Sequence, residues 1–382
     1  MQLLQNFRFL SDWRINRVKE LVRRSVLGIK PYIPGKPIEE TKRQLGLKEV
    51  IKLASNENPF GPSPKAIIAM KKCLSGVNRY PDAQGFYLKR RLAKYFGLSA
   101  ENFVLGNGSD ELIDVVIKTF VEADENIITA DTAFLEYEII AQVNDRRIKK
   151  APLRYFKYDL GAILKLVDKK TKLIFIANPN NPTGTYVTKY EVTDFLNALP
   201  AQVVVVFDEA YDTFIDVDDY PQSLSYLRRK KKVIILKTFS KGYGLAGLRL
   251  GYAISQPELA TYMERVRLPF NVNIMAQTAG LAALDDKGFF KKTRQLILDG
   301  KKFIYQELSK MGLSYVPSVA NFVLIDVGRN SKDVFKAMLK FGVIVRDMLQ
   351  YGLDNYIRLT IGTQKENIRS MRVLRKILEG KN

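Results

Sequence analysis

Val233-Ile234-Ile235-Leu236-Lys237-Thr238-Phe239-Ser240-Lys241-Gly242-Tyr243-Gly244-Leu245-Ala246-Gly247-Leu248-Arg249-Leu250-Gly251-Tyr252-Ala253-Ile254 is the stretch whose reading decides the fold. It opens on four consecutive apolar residues, the pattern of a short strand covered on both faces in a parallel sheet. A turn rich in glycine and hydroxyl groups follows, and then a second strand-like run, Leu248–Ile254. As a string, Gly242-x-Gly244-x-x-Gly247 matches the dinucleotide fingerprint. That fingerprint needs a helix opening on its glycines and an acid closing the next strand. Here the glycines lead into a strand that carries no such acid, and no Gly-Lys-Ser/Thr stands at P-loop spacing. What remains is a lysine, Lys241, just past the carboxyl end of a buried strand, where open α/β sheets bind their ligands.

Working outward, strand-like segments recur at Phe103–Leu105, Asn126–Ala130, Lys172–Ala177 and Val203–Phe207. Helical periodicity lies between several of them, at Asp110–Phe120, Leu135–Val143 and Thr188–Leu196. Almost wholly apolar strands alternating with helices predict an α/β domain built on a mostly parallel sheet sandwiched by helices. A long helical region from Met275 to Met311 then gives way to strands at Asn321–Val327, Val343–Val345 and Tyr356–Ile361, with helices at Ser331–Lys340 and Lys365–Leu378. That reads as a smaller α+β domain, completed by the segment just before Leu53. The expected division is a basic N-terminal extension (1–29), an entry segment (30–54), a large domain (55–285) and a small C-terminal domain (286–382). Arg8, Arg14, Arg17, Lys19, Arg23 and Arg24 interleave with apolar residues at the start, as in an organelle presequence, a surface helix or residues translated from an upstream start codon, although Asp12 and Glu20 argue against the first.

Composition narrows the chemistry. The chain has 382 residues and no histidine, which excludes imidazole acid–base catalysis, Ser-His-Asp sites and histidine metal ligation. With Cys73 alone, neither a disulfide framework nor a zinc cluster can form, so no metal site and a reducing, cytoplasmic setting are expected. No apolar run approaches the ~18 residues of a membrane span. The formal charge of +21 raises the alternative of a nucleic-acid binder. Yet the basic residues are spread along the chain, and the dense block Arg228–Lys232 reads as a solvated turn before a strand. The charge is better matched to small anionic ligands, with no nucleic acid and no membrane as partners.

The strand ends carry the candidate chemistry. Gly106-Asn107-Gly108-Ser109-Asp110 follows the first strand and opens a helix, so its backbone N–H groups can face an anion; an ordinary N-cap would look the same. Asn178-Pro179-Asn180-Asn181-Pro182-Thr183-Gly184 is a loop stiffened by proline that presents amides, or a self-capped turn. Asp208-Glu209-Ala210-Tyr211 places an acid at the mouth of an apolar strand, facing either a ligand or solvent.

Taken in order, these motifs resemble fold-type I pyridoxal-phosphate-dependent aminotransferases: Ser240-Lys241 with Arg249 eight positions on, and Asn-Pro-Thr-Gly and Asp-Glu-Ala-Tyr upstream. More narrowly, Leu53–Gly61, Arg79-Tyr80-Pro81-Asp82, Gly244–Tyr252 and Ile357–Thr363 are similar to those of histidinol-phosphate aminotransferases, over nearly the whole chain from about Lys30. The resemblance implies pyridoxal 5'-phosphate as cofactor. It implies Lys241 as the amine that binds the cofactor aldehyde and later moves the Cα proton, and Asp208 as the partner of the pyridine nitrogen. Asn181 and Tyr211 would donate to the cofactor's phenolic oxygen, and Phe134 would stack on its ring. Gly108, Ser109, Asp110, Ser240 and Arg249 would hold its phosphate, with Tyr80 contributed across a homodimer interface. Arg358, helped by Arg346 and with Asn56 nearby, would clamp the anionic end of the substrate, serving a phosphate ester and glutamate/2-oxoglutarate in turn. The implied activity is transamination of histidinol phosphate in histidine biosynthesis. Aromatic amino acid transamination and decarboxylation of a phosphorylated amino acid use the same cofactor and stay open as alternatives. Two departures stand out. Gly242 occupies a position where relatives often carry alanine, which should loosen the turn, and Asp212, Asp216, Asp218 and Asp219 form an unexplained acidic stretch.

Overall fold

The protein, a computed structural model, is described over residues 18–380, so the readings made for residues up to 17 lie outside the described residues. Seven strands form the main sheet: β1 (Phe103–Gly106), β2 (Asn126–Ala130), β3 (Arg147–Ala151), β4 (Thr171–Ala177), β5 (Val204–Asp208), β6 (Val233–Thr238) and β7 (Gly251–Ile254). Their order is β1-β7-β6-β5-β4-β2-β3. β7 alone runs antiparallel to its neighbours, β1 and β6. The carboxyl ends of β1, β4, β5 and β6 therefore share one edge. All residues of β1, β2, β5 and β7 are buried, as the uniformly apolar patterns require. Helices Ser109–Phe120, Leu160–Leu166 and Ser223–Arg228 pack against this sheet.

A second sheet, β8 (Tyr315–Val316), β9 (Phe322–Asp326), β10 (Arg346–Asp347) and β11 (Tyr356–Thr360), is antiparallel throughout in the order β8-β9-β11-β10. Beside it, Ile51–Lys52 pairs in parallel with Val343–Ile344. The second core gathers Phe322, Leu359, Ile304 and Leu374 and takes in Leu53, Tyr211 and Phe214 from outside this sheet. Tyr211 meets Phe322 edge-on with ring centroids 5.1 Å apart. The two cores thus meet at the loop that follows β5.

Differences from the sequence reading have local causes. β3 escaped notice because Arg147-Ile148-Lys149-Lys150 reads as polar; it is an edge strand, where charge discourages further pairing. The run Leu248–Ile254 does not start as a strand: Ala246–Leu248 is a 3-10 turn and Arg249 sits at φ 54°, so extended structure begins only at Gly251. The region Met275–Met311 is two helices, Ile274–Leu284 and Lys287–Lys310, interrupted where Asp286 caps the second through the Phe289 N–H. The turn at Gly242 is closely packed. A Cβ there would lie 2.6 Å from Thr213 Cγ2 and Oγ1, so Thr213 fills the space an alanine methyl would need.

Three of the four acids in the acidic stretch, Asp212, Asp216 and Asp219, are paired within the fold. Lys237 on β6 is buried and its ammonium bridges Glu209 Oε2, at 2.7 Å, and Asp212 Oδ2. Asp216 takes the buried Lys301 ammonium at 2.8 Å, and Asp219 accepts the Tyr186 hydroxyl at 2.6 Å. The two carboxylates hold Lys237 protonated well above the usual lysine range despite its burial. Replacing Lys237 by methionine strands Glu209 as an unpaired buried charge. Chemical denaturation should show Lys237→Met destabilised by about 3–5 kcal/mol.

Candidate active site

The strand ends converge on a cavity of about 450 Å³. Eleven of the fourteen residues singled out from the sequence line it: Asn56, Ser109, Asp110, Phe134, Asn181, Asp208, Tyr211, Ser240, Lys241, Arg249 and Arg358. Three do not. Gly108 lies directly beneath Arg249, Arg346 lies beyond Arg358 on the neighbouring strand, and Tyr80 is on the surface, 81% exposed and stacked on Phe270 at 4.6 Å.

At the floor, Asp208 ends β5 and is 5% exposed. Its Oδ2 accepts the Tyr137 hydroxyl at 2.7 Å and its Oδ1 accepts the Ala210 N–H at 3.1 Å. Burial raises its carboxyl to about 6, with these two hydrogen bonds opposing the rise. Tyr137 is fully buried and stacks on Phe175 of β4 at 4.9 Å. The sequence reading missed it; a tyrosine three residues after Phe134 at the start of a helix gives no sign that its hydroxyl turns inward.

Lys241 emerges from the turn after β6. Its Nζ donates to the Ser55 carbonyl at 3.0 Å and stands 5.7 Å from the centroid of the Tyr211 ring. Burial, and after it the positive charge of Arg358, lower its amine to about 8. The Tyr211 hydroxyl accepts from Asn56 Nδ2 at 3.0 Å. Asn56 adopts φ 54°, unusual for a side-chain-bearing residue, and is held there from both sides. Its N–H donates to Thr360 Oγ1 and its carbonyl accepts from Asn321 Nδ2, both at 3.0 Å.

Helix Ser109–Phe120 starts behind Gly108 with no side-chain cap, leaving its first N–H groups open to an anion. Arg249 reaches over this start, with Nη2 2.9 Å from Asp110 Oδ2. The approach demands glycine at 108: φ is 82°, and a Cβ would lie 2.4 Å from Arg249 Nη2.

Across the cavity, Arg358 on β11 is 5% exposed. It donates to Asn181 Oδ1 and, at 2.8 Å, to the Ala54 carbonyl, and it lies over the Phe322 ring at 5.2 Å. Its Nε is buried without a hydrogen-bond partner among the described residues. Arg346 stands in register opposite it on β10, 8% exposed, bonded to Gln350 at 2.8 Å and lying over the Tyr32 ring at 5.3 Å. Like charges directly opposite on paired strands are unfavourable, the more so when desolvated. Neither guanidinium has a carboxylate partner among the described residues. The positive charge of the pair is therefore not cancelled by any acid among the described residues.

The raised carboxyl of Asp208 has a thermodynamic consequence. An acid whose folded pKa exceeds its unfolded value of 3.8 stabilises the fold fully below that value, and this stability is lost as pH rises through about 6. In cofactor-free protein, Asp208→Asn should therefore gain on the wild type by about 3 kcal/mol between pH 4 and pH 7. Tyr137→Phe, which removes one donor to the ionised form, should extend the wild-type loss to higher pH. Urea melts across that range check both.

The sequence profile of the family described as Aminotransferase class I and II matches residues 48–374. The histidinol-phosphate aminotransferase of Moorella thermoacetica is 47% identical over 357 residues, spanning 93% of this chain and 92% of that protein. That of Anaeromyxobacter sp. is 44% identical across 94% of this chain and 99% of its own length. The solved histidinol-phosphate aminotransferase of Sinorhizobium meliloti, in complex with pyridoxal-5'-phosphate, matches with a TM-score of 0.86 at 27% identity, over 94% of this chain and 98% of that one. An aspartate aminotransferase from Thermotoga maritima, at 20% identity and a TM-score of 0.81 over 94% of this chain and all of that one, shares the fold. A lysine, an acid and an open helix start at one edge of the main sheet, with a buried arginine of the second sheet across the cavity, accord with this kinship, and the chain belongs to the class I and II aminotransferases and, within them, to the histidinol-phosphate aminotransferase family.

Proposed function

We propose that this protein moves an amino group between histidinol phosphate and 2-oxoglutarate, giving imidazole acetol phosphate and glutamate, in histidine biosynthesis. The observation that carries the substrate class is the buried Arg346–Arg358 pair, two desolvated guanidinium groups in register with no protein carboxylate to neutralise them. A guanidinium fork binds a phosphate monoester or a carboxylate bidentately, so one clamp serves both co-substrates.

The cavity residues fit pyridoxal 5'-phosphate. The uncapped helix start at Ser109 and Asp110, the cradle that only glycine permits at 108, and the hydroxyl and guanidinium of Ser240 and Arg249 suit its phosphate. Asp208 suits its pyridine nitrogen, Asn181 and Tyr211 its phenolic oxygen, Phe134 the face of its ring, and Lys241 its aldehyde. Once bound, that group supplies an electrophilic carbon and a protonated ring able to take up an electron pair from the substrate Cα.

The protein's own residues do the rest. Asp208, ionised above about 6 and steadied by Tyr137 and the Ala210 N–H, is the residue that would keep the cofactor's ring nitrogen protonated. Lys241, lowered to about 8 by burial and by the charge of Arg358, would take the substrate Cα proton onto its Nζ. Arg358 and Arg346 orient the anionic end of the substrate, and Asn56 and Tyr211 close the same wall. Tyr80 lies outside the cavity, 81% exposed and stacked on the exposed Phe270, and this exposure supports a homodimer in which it reaches the neighbouring subunit's cofactor phosphate.

A substrate panel tests the reading. Histidinol phosphate with 2-oxoglutarate should give the highest kcat/KM among phosphate esters and aromatic amino acids, whereas phenylalanine surpassing it would overturn the substrate assignment. Purified protein should show a visible absorbance band that borohydride bleaches and that Lys241→Ala lacks. Arg358→Ala should lower kcat/KM for both co-substrates by about a hundredfold, matching loss of one buried bidentate ion pair.

A further inference from the structure

Four carboxylates line the cavity: Glu57, Asp110, Glu136 and Asp208. Three are committed. Glu57 pairs with Lys52 at 2.9 Å, Asp110 with Arg249 at 2.9 Å, and Asp208 accepts from Tyr137 at 2.7 Å. Glu136 has no hydrogen-bond or ion-pair partner among the described residues. It is half-buried, the first residue of helix Glu136–Val143, and two positions beyond Phe134 on the cavity wall. Burial and the nearby Asp110 charge both push its carboxyl upward. The positive end of its short helix offsets part of this. A half-buried carboxylate beside a second negative charge remains unfavourable unless a ligand supplies a donor or a cation.

The two co-substrates assigned above share an anionic end for the arginine clamp and differ at the other end. One carries an imidazole ring with an N–H donor, cationic below about pH 6.5, and the other carries a second carboxylate. We propose that Glu136 is a specificity-determining residue that accepts a hydrogen bond from the imidazole ring of the phosphorylated substrate. This rests on the reading under Proposed function. It gives the otherwise unpartnered carboxylate its donor, and it gives a ring that the arginines cannot recognise a partner of its own. For the dicarboxylate co-substrate the same charge is repulsive, so Glu136 discriminates by a favourable contact with one and an unfavourable one with the other.

Glu136→Gln keeps the shape and an acceptor but removes the charge, and Glu136→Leu removes both. In the holoenzyme, Glu136→Gln should lower kcat/KM for histidinol phosphate about tenfold at pH 6, where the ring is cationic, and only about twofold at pH 8.5. Glu136→Leu should lower it about tenfold or more at both pH values. The value for glutamate should hold or rise in both variants. Equal losses with both co-substrates, or a thermal midpoint lowered in step with activity, would assign Glu136 to helix capping and overturn the proposal, as would an unchanged value for histidinol phosphate. A wild-type enzyme that does not process histidinol phosphate at all would instead overturn the function on which the proposal rests.

Discussion

Burial of Asp208 at the carboxyl end of β5 places a charge where water cannot solvate it, and much of the surrounding structure answers to that constraint. An isolated ionised carboxylate in such a place takes up a proton instead. Tyr137 and the Ala210 N–H resist this by donating to its two oxygens. Tyr137 can do so only because it is packed flat against Phe175 of the adjacent strand. The remaining imbalance is a deficit that a protonated ring nitrogen would neutralise, and this explains why a site that burdens the empty protein is retained. Behind it, Glu209 points away from the cavity and is matched by Lys237, so neighbouring acids at one strand end have opposite fates: one is left for a ligand and one is neutralised by the fold.

The same logic applies on the far wall with the sign reversed. Arg358 and Arg346 face each other across a strand pair, satisfied by an amide, a carbonyl and aromatic faces and not by acids. Neutral partners satisfy hydrogen bonds without cancelling charge, so the positive potential of the pair is retained. Between the two walls, Lys241 feels the field of Arg358 and gives up its proton more readily. An arginine of the second sheet therefore adds to the effect of burial on an amine of the first.

Two tightly fitted positions show how the backbone serves this arrangement. Gly108 leaves room for Arg249 over the open helix start, and Asn56 is held in the left-handed region so that its amide reaches Tyr211 while its backbone bonds to the second sheet. Asn56 thus ties its segment to the second core, and the neighbouring Ser55 carbonyl ties the same segment to Lys241.

The positions of most apolar strands along the chain, and the placement of the motifs at their carboxyl ends around one cavity, were readable from the chain. Parallel buried strands have a uniform apolar signature, and ligand residues in such sheets follow the strand ends. Β-strand edges were less legible: the basic β3 looked like a loop because an edge strand need not be apolar, and Leu248–Ile254 looked extended one turn too early because apolar content does not report φ at Arg249. Tertiary structure alone decided which polar groups find partners. Tyr137 reaching Asp208, Thr213 requiring glycine at 242, the pairing of Asp212, Asp216 and Asp219, and Glu136 left without a donor all depend on contacts between residues from separate elements. The chain's local pattern fixes where each element runs. Whether a buried charge is neutralised or kept for a ligand is set by what another element places within 3 Å of it.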